Sequence, residues 1–243
     1  MSVVRSWAAI AVLGIVLCGC ASTPPSPEAV AANDPFEATN RDTFRFNQKL
    51  DKYFVVPTVG AYIYIVPEWG RNRVHNVLDE LSLPVTFAND VMQGEPKRGT
   101  QTFGRFMVNA TIGLGGLFDP ATRLHIPNHS EDFGVTLGVW GVGEGPYLVL
   151  PLIGPSNPRD ATGLVADYFI DPLHWLHYKQ HIWWDGAHEY LSLLDLRAQT
   201  YQTVQGVQRS SVDFYSSMRS LYRQLRNNAI RKGRPETGDL PEF

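Results

Sequence analysis

The sequence predicts a mainly α-helical domain, and three patterns predict it. Apolar residues recur at helical spacing in several separate stretches, and few segments alternate with the period of two that a half-buried strand requires. Glycine and proline crowd into one stretch instead of punctuating the whole chain, which predicts a glycine-rich loop region inside an otherwise helical fold. An all-β barrel or sandwich is disfavoured on the second pattern.

The first elements are not part of that domain. Arg5 is the sole charge before an apolar run from Trp7 to Leu17, long enough for export and too short to span a bilayer. The run ends Leu17-Cys18-Gly19-Cys20, which resembles the lipobox cut by lipoprotein signal peptidase. Residues 1–19 then read as a signal peptide, and Cys20 becomes the acylated first residue, held by several chains at about 0.8 kcal/mol per buried methylene. The alternative is an ordinary cut after Gly19 that leaves Cys20 unmodified. From Cys20 to residue 33 the small, proline-rich composition predicts an extended tether, so the domain spans 34–230 and residues 231–243 form a disordered tail.

Within the domain, Phe46, Leu50 and Phe54 lie at helical spacing, with Asn40 as an N-cap and Pro57 beyond the end. Val74, Val77, Leu78 and Leu81 form a second helix, and Pro84 opens a third through Phe87, Val91 and Met92, stopped by Gly94. A fourth puts Phe103, Phe106, Met107 and Ala110 on one face before Gly113, Gly115 and Gly116. The glycine-rich stretch from Asp132 to Asp160 contains one strand-like run, Tyr147 to Leu150. Asp160 or Thr162 starts another helix through Leu164, Val165, Tyr168 and Phe169. A last helical region carries a heptad-like stripe of Val207, Ser211, Phe214, Met218, Leu221, Tyr222 and Leu225.

Composition excludes several functions. Both cysteines lie in or at the end of the signal, so disulfides and cysteine catalysis are ruled out. Without Arg5, 20 basic residues face 24 acidic ones, a charge of −4 that gives no footprint for nucleic acid. The candidate motifs are weak. His174, His177 and His181 would share a helix face as metal ligands, but Trp175, Tyr178, Trp183 and Trp184 interleave them and favour an aromatic belt at the headgroup level of a bilayer, with no metal. Around Ser156 the nucleophile-elbow pattern fails because Pro158 stands where glycine is needed. His129-Ser130-Glu131-Asp132 has triad residue types in an arrangement that cannot relay, and Ser130 reads as a helix cap. Gly141-Val142-Gly143-Glu144-Gly145 lacks the ending of a phosphate loop. The pair Gly134 and Gly138 permits close backbone packing, and the glycines after Trp140 form either a flexible element beside a passage or a tightly packed loop.

Together the segments Asp34-Pro35-Phe36-Glu37, Asn40-Arg41, Phe46-Asn47, Arg105-Phe106, Ser130-Glu131-Asp132-Phe133-Gly134 and above all TLGVWGVGEGPYLVLPLIGPSNPRD (136–160) resemble the MlaA (VacJ) family of outer-membrane lipoproteins. The resemblance implies a ring of helices embedded in the inner leaflet of the outer membrane around a polar channel, beside trimeric porins. It implies retrograde movement of mislocalised phospholipid to a periplasmic carrier of the MlaC type, with no cofactor and no catalysis. Asp34, Pro35, Phe36, Asn40, Arg41, Phe46 and Asn47 would then belong to a membrane-seated first helix, and Trp140, Gly141, Gly143, Gly145 and Tyr147 to a mobile ridge beside the channel. By analogy with lipoprotein sorting in Gram-negative bacteria, Ala21 after Cys20 directs the chain to the outer membrane. Two other readings remain: a porin-associated structural lipoprotein and an anchored lipid hydrolase.

Overall fold

The computed structural model describes residues 27–175 and 181–232, and it is mainly α-helical as the sequence predicts. Cys20, the signal peptide, His177, Tyr178 and the predicted tail from residue 233 onward lie outside the described residues, as do the side chains of His181 and Trp183. The tether reading needs correction from Pro27 onward. Pro27–Ala31 forms a short helix, α1, with Ala29 buried. The next residues are tied to the domain by Tyr147 N–H donating to the Asn33 carbonyl at 2.9 Å and by Arg223 donating to the Ala32 carbonyl at 2.7 Å.

Helix α2 spans Glu37–Leu50, so Asn40 sits in its first turn and is not the predicted cap. Nor does Pro57 end the rod. A π-helical turn, Asp51–Val55, leads into α3, Val56–Ile65, with Pro57 in its first turn. A widened turn leaves room for a ring that would clash, and lack a donor, inside regular α-helix.

The predicted start at Pro84 is likewise wrong: α4 runs unbroken from Glu68 to Met92 through Pro84. The proline forfeits one backbone bond, but Glu80, Leu83 and Thr86, on both sides of it, are buried on one continuous face. Helix α5, Pro96–Thr111, returns antiparallel along α4 and ends in Leu114, Gly115 and Gly116, all with positive φ. A single turn, α6 (Pro120–Arg123), is capped by Asp119.

Helix α7 is Phe133–Val139, and Asp132, not Ser130, caps it by accepting from Val135 N–H at 2.9 Å. The strand-like run becomes β1, Leu148–Leu150, paired antiparallel with an unpredicted β2, Gly154–Ser156. Helix α8, Pro158–Ile170, starts earlier than predicted because Asn157 caps it, and a 3-10 turn follows at Pro172–Trp175. Helices α9, His181–Ser210, and α10, Phe214–Arg231, are separated by a break at residues 211–213. The stripe therefore holds only in α10, where Phe214, Met218 and Tyr222 pack against a core of Phe44, Tyr147, Val149 and Tyr215.

The contacts close a circuit. Helix α3 packs on α9, α9 on α4, α4 on α7 and α8, and α7 on α10. Helix α10 meets β2, β2 pairs with β1, and β1 lies on α2, which runs through the π turn back into α3. The fold is ring-like. Among the described residues no helix is long and apolar enough to cross a membrane.

Candidate functional site

Helix α5 shows how the ring is built. Thr102, Arg105 and Asn109 fall on one face and are buried, while Phe103 and Met107 face out. Helix α4 repeats the pattern, with Glu80, Thr86, Asn89 and Asp90 inside and Trp69, Phe87 and Val91 outside. So does α8, which buries Arg159 and Asp160 and exposes Leu164, Val165, Tyr168 and Phe169. Among the described residues buried polar side chains outnumber buried apolar ones. A protein surrounded by water does the reverse, because exposed apolar area and buried polar groups each raise its free energy.

The inward polar groups are stabilised by pairing. Asp90 accepts from Thr102 Oγ1 at 2.6 Å and lies 2.9 Å from His129 Nε2. Arg105 donates to Asp119 at 3.0 Å and to the Ile126 carbonyl at 2.7 Å, and Asn109 joins Asp119 to the Ala121 amide. Arg226 bridges two elements, donating to both Asp132 oxygens at 2.6 and 2.9 Å and lying 2.8 Å from Asp160. Burial pushes the Asp160 carboxyl up, but Arg226, Tyr222 and Arg159 outweigh it and hold the group below the usual carboxylate range. Glu80 is not paired in this way. Both its oxygens are buried without a hydrogen-bond partner. Burial pushes its pKa up to about 7, offset in part by the Asn109 amide, which lies near without bonding geometry, and by Arg105.

The residues singled out at the start of the first helix have a different and concrete role. Asn40 donates from Nδ2 to the Tyr147 carbonyl at 3.0 Å and accepts from Val149 N–H at 2.9 Å. Two turns on, Asn47 donates to the Leu150 carbonyl and accepts from Leu152 N–H, each at 2.9 Å. The two amides thus stand in for a third strand along β1. Asp34 is fully buried, accepting from Asn40 at 2.7 Å, from Arg219 at 2.6 Å and from the Tyr215 hydroxyl. Arg41 bonds Glu37 and Asp213, and its guanidinium holds Asp213 well below the usual carboxylate range. Pro35 is half-buried between Asp34 and α2, whereas Phe36 and Phe46 are exposed.

The five ridge residues separate. Trp140 is 55 % exposed, with its indole N–H on the Met92 carbonyl at 3.0 Å. Tyr147 is 1 % exposed and belongs to the core, so its side chain does not line any exposed ridge. Gly141 and Gly145 have φ of +90° and +72°, which side chains resist, whereas Gly143 lacks that constraint and faces open space. A β-branched residue would therefore be strained by backbone conformation at Gly141 and not at Gly143.

Other candidates resolve as geometry. His129 reaches Asp90 and Thr102, not a serine. Ser156 is buried, its hydroxyl 3.4 Å from the Asn157 carbonyl. His174 lies against Tyr168, the rings tilted with centroids 3.9 Å apart, and no group of three or more potential metal ligands occurs among the described residues. Trp175 and Trp184 are exposed. The buried pairs built on Asp90, Asp160 and Arg226 were not anticipated. Their signal is polar residues at helical spacing opposite an apolar stripe, which ordinarily marks a solvated face.

A family model described as MlaA lipoprotein matches residues 32–229. The chain belongs to the MlaA lipoprotein family. Among its relatives is the intermembrane phospholipid transport system lipoprotein MlaA of Escherichia coli, 35% identical over 230 residues, which cover 93% of this chain and 88% of that protein. The Haemophilus influenzae protein of the same name is 36% identical over 157 residues, 63% of this chain and 62% of its own length. An uncharacterized Rickettsia bellii protein is 32% identical over 198 residues, 81% of this chain and 76% of its own. A solved structure, from work on the structural basis for maintenance of bacterial outer membrane lipid asymmetry, superposes with a TM-score of 0.72 at 33% identity. It covers 81% of this MlaA-family chain and 98% of its own.

Proposed function

We propose that this protein is exported through residues 1–19, acylated at Cys20, seated in the inner leaflet of the outer membrane by the domain of residues 34–230, and passes mislocalised phospholipid to a periplasmic carrier of the MlaC type. Trimeric porins are its membrane neighbours, and the movement is retrograde. The observation that carries this reading is the inverted polarity of α4, α5 and α8. Their apolar faces point outward, where acyl chains solvate them, and their polar faces point inward, where the buried groups pair with one another, as a ring half-sunk in lipid requires. The Escherichia coli and Haemophilus influenzae relatives, named for intermembrane phospholipid transport, support it.

Catalysis is not required: the Ser156 hydroxyl is buried and its 3.4 Å neighbour is a carbonyl, not a base. The test is the amount of phospholipid exposed in the outer leaflet of cells lacking the protein, complemented with wild type or Cys20→Ala. Exposure should rise on deletion and fall only with wild type. No rise would leave a structural, porin-associated lipoprotein as the better reading, and free fatty acid released by purified protein and lost in Ser156→Ala would favour a hydrolase.

A further inference from the structure

Two cavities meet at Arg73 on α4. One, of about 430 Å³, is lined by Arg73, His75 and Asn76 from the helix and by Phe118, Asp119 and Arg123 opposite. The other, of about 250 Å³, includes Arg73 and His188 but is otherwise walled by apolar groups such as Val77, Leu78, Leu81, Leu117 and Leu191. At 100° per residue, Asn72, His75 and Asn76 fall on one face of α4 and Val74, Val77, Leu78 and Leu81 on another, with Arg73 at the seam. The turn after α5 covers both, Phe118 over the first and Leu117 over the second.

The charges in the first cavity are unequal. Arg105 at 3.0 Å and the Thr122 hydroxyl and amide already engage Asp119. Burial pushes that carboxyl up, but Thr122 and Arg105 outweigh it and hold it below its ordinary value. His75 is turned to Asp195 at 3.0 Å. Arg73 lies over the Phe118 ring at 4.4 Å and donates to the Leu117 carbonyl at 3.3 Å, and neither it nor Arg123 forms a salt bridge among the described residues. Two guanidinium groups without acid partners among the described residues thus stand beside an apolar trough.

A guanidinium fork matches phosphate geometry, and a free anion would have no use for the trough. We propose that this double cavity holds one glycerophospholipid, its phosphate between Arg73 and Arg123 and its acyl chains entering the trough between α4 and α9. The site rests on the phospholipid-transfer reading above and names where that chain grips its cargo.

The test is equilibrium binding of dihexanoyl phosphatidylglycerol to the full chain in non-ionic detergent, with dihexanoylglycerol and inorganic phosphate as separate arms. The phospholipid should bind at least about tenfold tighter than either fragment, since linked contacts add. Arg123→Gln should weaken phospholipid about tenfold, the scale of a lost charge-assisted bond, and leave dihexanoylglycerol unchanged. Leu81→Gln should weaken both lipids and leave phosphate unchanged. Arg123 is exposed, so its variant should keep the wild-type melting curve and remain informative even if Arg73→Gln misfolds. Wild-type phospholipid affinity in Arg123→Gln would overturn the site, and equal affinity for inorganic phosphate would reassign it to a free anion. In cells, asymmetry restored equally by wild type and Arg123→Gln would count against this site while transport stands. No phospholipid exposure on deletion would count against transport itself, and the binding arms would still decide the site.

Discussion

Asn40 holds three parts of the molecule with one amide: the buried Asp34, the carbonyl of Tyr147 and the N–H of Val149. Its replacement by alanine leaves these groups short of a partner where water cannot reach, at roughly 2–4 kcal/mol. Asn47→Ala should cost less, because the Leu152 amide it serves is exposed and water replaces the lost bond. Thermal melts in detergent should therefore rank wild type above Asn47→Ala and both above Asn40→Ala; equal losses would remove the strand-like role assigned to the pair. Glu80 gives a pH dependence of definite sign. Its folded pKa, about 7, lies above the ordinary 4.5, so the folded state holds the proton more tightly than the unfolded one. Stability then falls as pH rises from about 4.5 to about 7, and the whole penalty is present above that window. Glu80→Gln should stabilise by on the order of 1–3 kcal/mol at pH 8 and by almost nothing at pH 4.5, measured by urea unfolding at both pH values. A gain that does not depend on pH would mean that burial is not what perturbs this carboxyl.

Among the elements, the crossing of α7 and α8 is the tightest that glycine controls. A Cβ on Gly163 would stand 2.4 Å from the Gly134 nitrogen and 2.7 Å from its Cα, so backbone and not a flexible side chain would have to yield. Gly163→Ala should cost about 1–3 kcal/mol or more through forced separation of the helices. Gly104→Ala, within α5 and with nothing near its Cβ, should instead stabilise by about 0.5–1 kcal/mol through helix propensity. Opposite shifts of the two melting midpoints would confirm the contrast; two losses would mean that α5 needs its glycine for something other than backbone conformation. The same elements measure what a sequence can disclose. Gly134 was legible as a close-packing site because glycine spacing is local, α5 through its helical periodicity, and β1 as a compact apolar run between prolines. Pro84 and Pro57 misled, because a proline states only its own lost donor and not whether neighbours hold the helix together across it. β2 was hidden because Gly154-Pro155-Ser156 carries no strand pattern of its own and is paired through β1. The polar interior stayed hidden for a deeper reason: Thr102, Arg105 and Asn109 have the spacing of a solvated face, and nothing in the spacing says which side is wet.

That ambiguity is settled only by the whole molecule. The circuit of contacts from α3 through α9, α4, α7 and α10 back to α2 gives its helices an inner and an outer side, and ion pairs such as those of Arg226 with Asp132 and Asp160 join its elements. Phe87, Phe103, Met107, Leu164, Val165, Tyr168 and Phe169 are left exposed on neighbouring or contacting helices. Patches of this kind are rare on monomers in water and stable against acyl chains. The protein should then adhere to bilayers without its anchor, and Cys20→Ala should float with vesicles in a density gradient, though less completely than the acylated form. Adding Phe103→Asp and Met107→Asp to Cys20→Ala puts two charges on the outer face. Each costs up to about 2.5–3.5 kcal/mol at full depth and less nearer the headgroups. A total of even 3 kcal/mol lowers partitioning by about a hundredfold, enough to move the protein from the floated to the soluble fraction. The inner network built on Arg105 and Asp119 is untouched by these changes, so the melting midpoint of the variant in detergent should stay near that of Cys20→Ala. Undiminished flotation of the triple variant would mean that the exposed face is not the one that meets lipid, and the seating of the ring would have to be reassigned to another surface.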